Sequence, residues 1–430
     1  MQDTYDLIVI GSGAMGLAAA YQAGQQSKRV LVLEADEVPG GMAAHFDLAG
    51  LSIERYYHFI CKTDHDTFGL LEELGISDAL RWRETKMGYF VDGNLHKWGN
   101  PVALLGSSLL GPIEKFRYAL MAFYATKRTD FAAAEDLTAP VWLQRWLGRR
   151  GYEKLWHRLF YLKFYEYTDA ISASWIGTRI KRIGLSRRSL MTEELGYLEG
   201  GTETLVRTLV DAIEAQGGTV RTGEPAREVL SESGRVTGVR TDGGTVNADR
   251  VISTVPTPIV PKLVPQLNEA TLAKYEAIPN IGVACLIFKL RKSVTGNFWL
   301  NIIDDDHPIP GLIEFSNLRP TDDTVVYAPY YMPVTQERWN WSDDALLAEA
   351  MAAIKAVNPD ITDEDVIASE VSRLRYAQPV CVPNFLDILP PIQTEIEGLQ
   401  IADTCFYYPE DRGISESIGL GRSMARYAFQ

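Results

Sequence analysis

The chain is poor in the residues that build metal centres and disulfide scaffolds. Its 430 residues include four cysteines, Cys61, Cys285, Cys381 and Cys405, and six histidines. The cysteines lie far apart with no C-x-x-C pair, which argues against a disulfide framework or a zinc site and fits a reducing cytoplasm. No H-E-x-x-H pattern occurs, so no metal is expected. Long apolar runs are also missing: residues 101–125 form the most apolar later stretch, but Glu114, Lys115 and Arg117 interrupt it. The N-terminus carries no basic region ahead of its short apolar run, so neither a secretion signal nor an integral membrane protein is expected. Positive charge is in deficit, 42 Lys+Arg against 56 Asp+Glu for a net charge of −14, which argues against a general nucleic-acid binder. No internal repeat or low-complexity linker is visible. The length fits two to three domains.

What is present begins at once. Tyr5-Asp6-Leu7-Ile8-Val9-Ile10 reads as a strand buried on both faces, as in a parallel sheet. Gly11-Ser12-Gly13-Ala14-Met15-Gly16 follows, then an Ala-rich helix, then a second strand, Arg29-Val30-Leu31-Val32-Leu33, ending on Glu34. Gly11 makes the tight turn, Gly13 lets the backbone approach a pyrophosphate, and Gly16 permits close helix–strand packing. The helix start at Ala14 and Met15 supplies free amides and a positive dipole end, and Glu34 accepts from the ribose hydroxyls of a dinucleotide.

Glu34-Ala35-Asp36-Glu37-Val38-Pro39-Gly40-Gly41-Met42 resembles the extended signature of the flavin-containing amine oxidase and protoporphyrinogen oxidase superfamily, which also holds phytoene desaturases and, more distantly, UDP-galactopyranose mutases. Met42 stands where many members carry Arg. Two later blocks occur in the order of that superfamily. Residues 197–256 resemble its second flavin-binding block, in which the residue matching Val229 contacts adenine. Leu399-Gln400-Ile401-Ala402-Asp403 resembles the strand whose terminal Asp holds the ribityl chain, and residues 412–422 resemble the helix start that meets the isoalloxazine, with the amides of Ser417 and Ile418 near its pyrimidine edge. The resemblance implies non-covalent FAD held by Gly11, Gly13, Ala14, Met15, Gly16, Glu34, Ala35, Gly41, Met42, Val229, Asp403, Ser417 and Ile418.

The implied fold is α/β: a Rossmann-like, three-layer FAD-binding domain with a parallel sheet, from residues 1–75, 196–256 and 385–430, and a discontinuous substrate domain of mixed sheet plus helices, from residues 76–195 and 257–384. Residues 137–164 and 174–188 read as helices, and residues 283–290, 298–303 and 324–329 as strands. A small-molecule substrate is expected between the domains.

Within the resemblance, Glu54-Arg55-Tyr56-Tyr57-His58-Phe59 falls where relatives cover the flavin ring, and His58 aligns with the histidine of a Gly-x-His pattern in the mutases. Trp299 and Tyr330 lie on aromatic strands that roof the flavin in relatives, and Lys289 or Lys292 is the counterpart of a lysine water-bridged to flavin N5. No second G-x-G-x-x-G occurs, so electrons are expected to come from the substrate. Residues 145–188 carry eleven basic and three acidic side chains, a local +8. Arg179, Arg182, Arg187 and Arg188 are expected on a helical basic face that meets solvent, an anionic lipid surface, or a phosphorylated or prenylated substrate. The expected function is an FAD-dependent oxidoreductase. The alternatives are a flavin-dependent sugar mutase and a binding protein like the Rab GDP-dissociation inhibitors, in a soluble cytoplasmic or membrane-associated setting. The oligomeric state is not readable.

Overall fold

In the computed structural model, which describes residues 4–430, the apolar run Leu7–Ile10 forms the central strand of a five-stranded sheet. The sheet order is Thr219–Arg221, Val30–Leu33, Leu7–Ile10, Val251–Ser253, Leu399–Ile401, and every pairing is parallel. Leu7–Ile10 is buried along its whole length because both faces are covered. Leu7 and Val9 pack against the helices Ala14–Gly24, Thr202–Ala215 and Ile414–Ala428. Ile8 and Ile10 face a four-stranded sheet whose central hairpin, Arg235–Thr241 and Gly244–Ala248, presents Val236, Val239 and Val246. Helices, parallel sheet and second sheet thus form the three layers that the family resemblance implies.

A seven-stranded mixed sheet occupies the middle of the chain, in the order Val366–Pro379, Asn280–Leu290, Thr324–Met332, Gly311–Glu314, Trp299–Ile302, Met87–Val91, Asn94–Trp98. One face packs against the helix Asp343–Val357. A helical layer, Pro112–Lys127, Ala139–Tyr152, Arg158–Phe164 and Ala173–Leu185, builds a separate aromatic-rich core.

Two helical expectations need correction. The stretch 137–164 is broken at Gly148, whose φ of +76° suits glycine. The expected helix over 174–188 ends at Leu185, and Arg187–Ser189 is a strand, because Arg187 pairs with Glu193 in the antiparallel neighbour Thr192–Leu198. That neighbour also pairs with Leu80–Thr85, so one strand runs through the 195/196 boundary drawn from the sequence.

Glu54 joins the layers. Its carboxylate accepts from the amide of Thr202 at 3.0 Å and pairs with Arg319 at 3.1 Å, while Tyr327 donates to its carbonyl at 2.6 Å. Glu54 is 1% exposed and Arg319 9%, so removing one charge strands the other out of water. Glu54→Ala is expected to lower stability by about 3–5 kcal/mol in urea denaturation, and a cost below about 1 kcal/mol would mean that the pair behaves as a surface contact.

Candidate functional site

The glycine loop and the second glycine pair are built against each other. Gly11 has a φ of +100°, and a Cβ there would lie 2.6 Å from the Thr254 hydroxyl. A Cβ on Gly16 would sit 1.9 Å from the Gly11 carbonyl oxygen, so the helix can approach the turn only if this residue is bare. Gly13 instead faces open space, with no atom within 4 Å of an added Cβ. The Ala14–Gly24 helix has no side-chain cap, so its first amides point out unsatisfied. Glu34 ends the next strand; its Oε2 accepts from the amide of Ser12 at 2.8 Å and from its hydroxyl at 2.7 Å, and its Oε1 accepts from the amide of Asp36 at 2.9 Å. The amide of Gly40 donates to the carbonyl oxygen of Ser12 at 3.1 Å, and a Cβ on Gly41 would lie 3.1 Å from the Gly13 Cα. An open, backbone-lined groove at a bare helix start, with a carboxylate beside it, fits the diphosphate and ribose of a dinucleotide.

The other expected cofactor residues divide. Ala35 and Gly41 are exposed, and Met42 is half-buried with its Sδ 3.9 Å from an Nη of Arg412. Val229 is buried beside the parallel sheet, and its carbonyl accepts from Gln266 at 3.2 Å. Asp403 is buried and accepts from the amides of Thr257 at 2.6 Å and Cys405 at 2.9 Å; burial raises its carboxyl. Ser417 and Ile418 need correction. The last helix starts at Ile414, so the amide of Ser417 is spent on the carbonyl of Gly413 at 3.1 Å and Ile418 is buried a turn inside. The uncapped amides are those of Ile414 and Ser415.

The segment after Glu54 presents alternate residues to opposite sides. Tyr57 and Phe59 face the mixed sheet, with Tyr57 5.6 Å from Trp299 between ring centroids and Phe59 at 6.5 Å. His58 lines a small cavity with Glu54, Thr67, Thr202 and Ile414. Its Nδ1 finds no hydrogen-bond partner among the described residues, and burial lowers its pKa to about 4, so it is neutral at pH 7.

Tyr330 lies on the far side of the sheet, 1% exposed in the core under the helix Asp343–Val357. Tyr331 takes the near side, its ring 4.7 Å from the Lys163 Nζ and 5.3 Å from the Arg412 guanidinium. A one-residue difference in a strand reverses the face. Lys289 bonds the carbonyl of Ala49 at 3.0 Å and approaches Asp323 at 3.4 Å. It pairs with Val325, six residues along the strand from Tyr331, or about 20 Å at ~3.3 Å per residue. Lys292 pairs with Asp365 at 3.1 Å.

The expected basic face is also redistributed. Arg179 pairs with Asp411, Arg182 with Asp64 at 2.8 Å, Arg187 with Glu193 at 3.8 Å, and Arg188 with Glu84 at 3.6 Å. Lys163, counted in the sequence only as one of the eleven basic residues, is the cation that reaches Tyr331. Nothing in its local sequence singles it out.

The groove and its carboxylate define a dinucleotide-binding flavoprotein. The chain belongs to the flavin containing amine oxidoreductases, whose family pattern matches residues 16–403, and its cofactor is FAD. It is 24% identical over 282 residues to the 15-cis-phytoene desaturase of Capsicum annuum, covering 61% of this chain and 48% of that one. The chain thus spans about half the length of that relative. Its fold is similar to that of a provisionally assigned protoporphyrinogen oxidase from Exiguobacterium sp. 255-15, with a TM-score of 0.77 and 21% identity over 98% of both chains. A reduced UDP-galactopyranose mutase superimposes with a TM-score of 0.76 and 14% identity over 99% of this chain and 94% of that one. Among the described residues no helix is long and apolar enough to cross a membrane.

Glu34→Ala removes the acceptor that anchors Ser12 at the groove. FAD affinity is expected to fall by about 1–3 kcal/mol, or roughly 5- to 150-fold, measured by flavin fluorescence on dilution; unchanged affinity would remove Glu34 from the cofactor site. Burial raises the carboxyl of Glu416 to about 7. The unfolded chain ionises this group from about pH 4.5 upward, whereas the folded protein resists until near 7, so the group costs stability increasingly across that window. Glu416→Gln is expected to stabilise the protein at pH 8 and to have little effect at pH 5, in paired thermal melts; equal shifts at both pH values would contradict the assignment.

Proposed function

We propose that the protein is an FAD-dependent oxidoreductase that oxidises a small organic substrate, an amine, an alcohol or a CH–CH unit, in the cleft between the parallel-sheet unit and the mixed sheet. The observation that carries this reading is the open space above Gly13, at the uncapped start of the Ala14–Gly24 helix and beside Glu34. In this proposal residues 1–75, 196–256 and 385–430 hold the cofactor, and residues 76–195 and 257–384 supply the substrate side. When bound, FAD supplies a two-electron acceptor for a hydride, and the electrons pass on to oxygen, a quinone or another acceptor.

The chain's own residues prepare the cleft. Tyr57, Phe59 and Trp299 form an edge-to-face aromatic wall that keeps water from one side. The free amides at Ile414 and Ser415 supply donors where negative charge develops on reduction. His58, neutral at pH 7, offers an uncommitted Nδ1 that can hold or accept a proton within the cavity it lines.

The purified protein is expected to be yellow, to release FAD on denaturation, and to bleach anaerobically with a reducing substrate from a panel of amines, alcohols and saturated acids. Colourless protein that takes up no FAD would overturn the cofactor role. Turnover only after chemical pre-reduction, with no net oxidation of substrate, would replace the oxidoreductase by a mutase.

A further inference from the structure

Three basic side chains, Lys163, Arg179 and Arg412, gather around Tyr331 and Asp411, and Arg412 touches Met42. Lys163, on the helix Arg158–Phe164, places its Nζ 4.7 Å from the ring of Tyr331, 5.2 Å from Phe164 and 5.3 Å from Trp175. Its polar contact is the Gln378 side-chain oxygen at 3.4 Å. Arg412 donates to the Tyr331 hydroxyl at 2.8 Å and to the carbonyl of Ala377. Neither cation has a carboxylate oxygen within 4.0 Å among the described residues, whereas Arg179 is paired with Asp411. Both unpaired cations contact the same tyrosine ring, so they lie within about 10 Å of each other.

We propose that Lys163, Arg412 and Arg179 form a subsite for an anionic group of the substrate, a carboxylate or a phosphate, at the edge of the cleft next to Met42. The inference deepens the oxidoreductase reading and rests on it for the identity of the ligand as substrate. Of these three basic side chains only Arg179 has a carboxylate partner among the described residues, and all three are half-buried. Like charges removed from water raise the energy of the free protein, and an anion between them relieves it. The strain is visible in the lysine: burial first, then the charges of Arg179 and Arg412, push its pKa well below the usual range despite the opposing pull of Asp411. Asp411 responds in the opposite sense; burial would raise its carboxyl, but Arg179, Lys163 and Arg412 hold it below the usual range. Guanidinium forks suit the paired oxygens of a carboxylate or phosphate, and Lys163, Tyr331, Arg179 and Arg412 are each only half-buried, which leaves the cluster open to a ligand.

The test uses the FAD-loaded full chain at constant ionic strength, titrated separately with inorganic phosphate and with acetate. Flavin absorbance and the thermal midpoint are both read, since a ligand that binds the folded state raises the midpoint. A saturable response is expected from at least one ion, weakened tenfold or more by Lys163→Met, a variant that preserves bulk among the aromatic rings, and unchanged by Arg207→Gln on the exposed helix surface. Tighter phosphate binding assigns a phosphorylated substrate, and tighter acetate binding a carboxylate. No saturable response, or equal binding by Lys163→Met, overturns the subsite even if the protein is yellow. A colourless protein whose midpoint still responds through Lys163 overturns the flavin reading and keeps the anion site.

Discussion

The groove depends on Ser12. Its amide and hydroxyl both donate to Glu34, and its carbonyl and hydroxyl both accept from the amide of Gly40. One fully buried serine therefore ties the first loop, the end of the second strand and the second glycine pair into a single rigid edge. That arrangement explains why glycine is needed on both sides of it: backbones this close have no room for a Cβ at Gly16 or Gly41, and the groove above Gly13 stays open only because its rims are bare. The Glu34 carboxylate also holds the loop in shape through Ser12.

A second constraint acts where the layers meet. Charges buried at the seams are paired across long sequence separations: Glu54 with Arg319, Asp64 with Arg182, Asp411 with Arg179. Such pairs add little net stability compared with apolar contacts, but a wrong docking would leave each charge alone out of water. They hold the helical layer, the mixed sheet and the last helix in one register around the cleft, and the aromatic wall of Tyr57, Phe59 and Trp299 fills the remaining space.

The layered fold was legible because its signals are local. The glycine spacing, the β-branched runs and the carboxylate at the end of the second strand all lie within the first 34 residues, and each reports on backbone geometry that neighbours in sequence impose. The chemistry of the cleft was legible only in part, because it depends on which partner each side chain finds. A count of basic residues over 145–188 records charge but not pairing, so four arginines that end in ion pairs looked like an open face while Lys163 passed unnoticed among them. Tyr330 and Tyr331 are equivalent in composition, and only the register of their strand with residues 283 and 284 decides which one meets the cleft. The free amides of the last helix lie about a turn before Ser417 and Ile418, because Gly413 leaves the helix without a side-chain cap to mark its first residue.

The distribution of charge follows from these pairings. The chain as a whole carries −14, which sets up a field that repels anions from most of its surface. Among the described residues around Tyr331, Lys163 and Arg412 have no carboxylate oxygen within 4.0 Å, and Arg179 pairs with Asp411. Methionine or leucine would fill the same aromatic cage around Lys163 at no electrostatic cost. Arg412 places this cluster next to Met42, on the second glycine block. An anionic tail anchored there would leave the uncharged remainder of a substrate to lie along the Tyr57 and Trp299 wall.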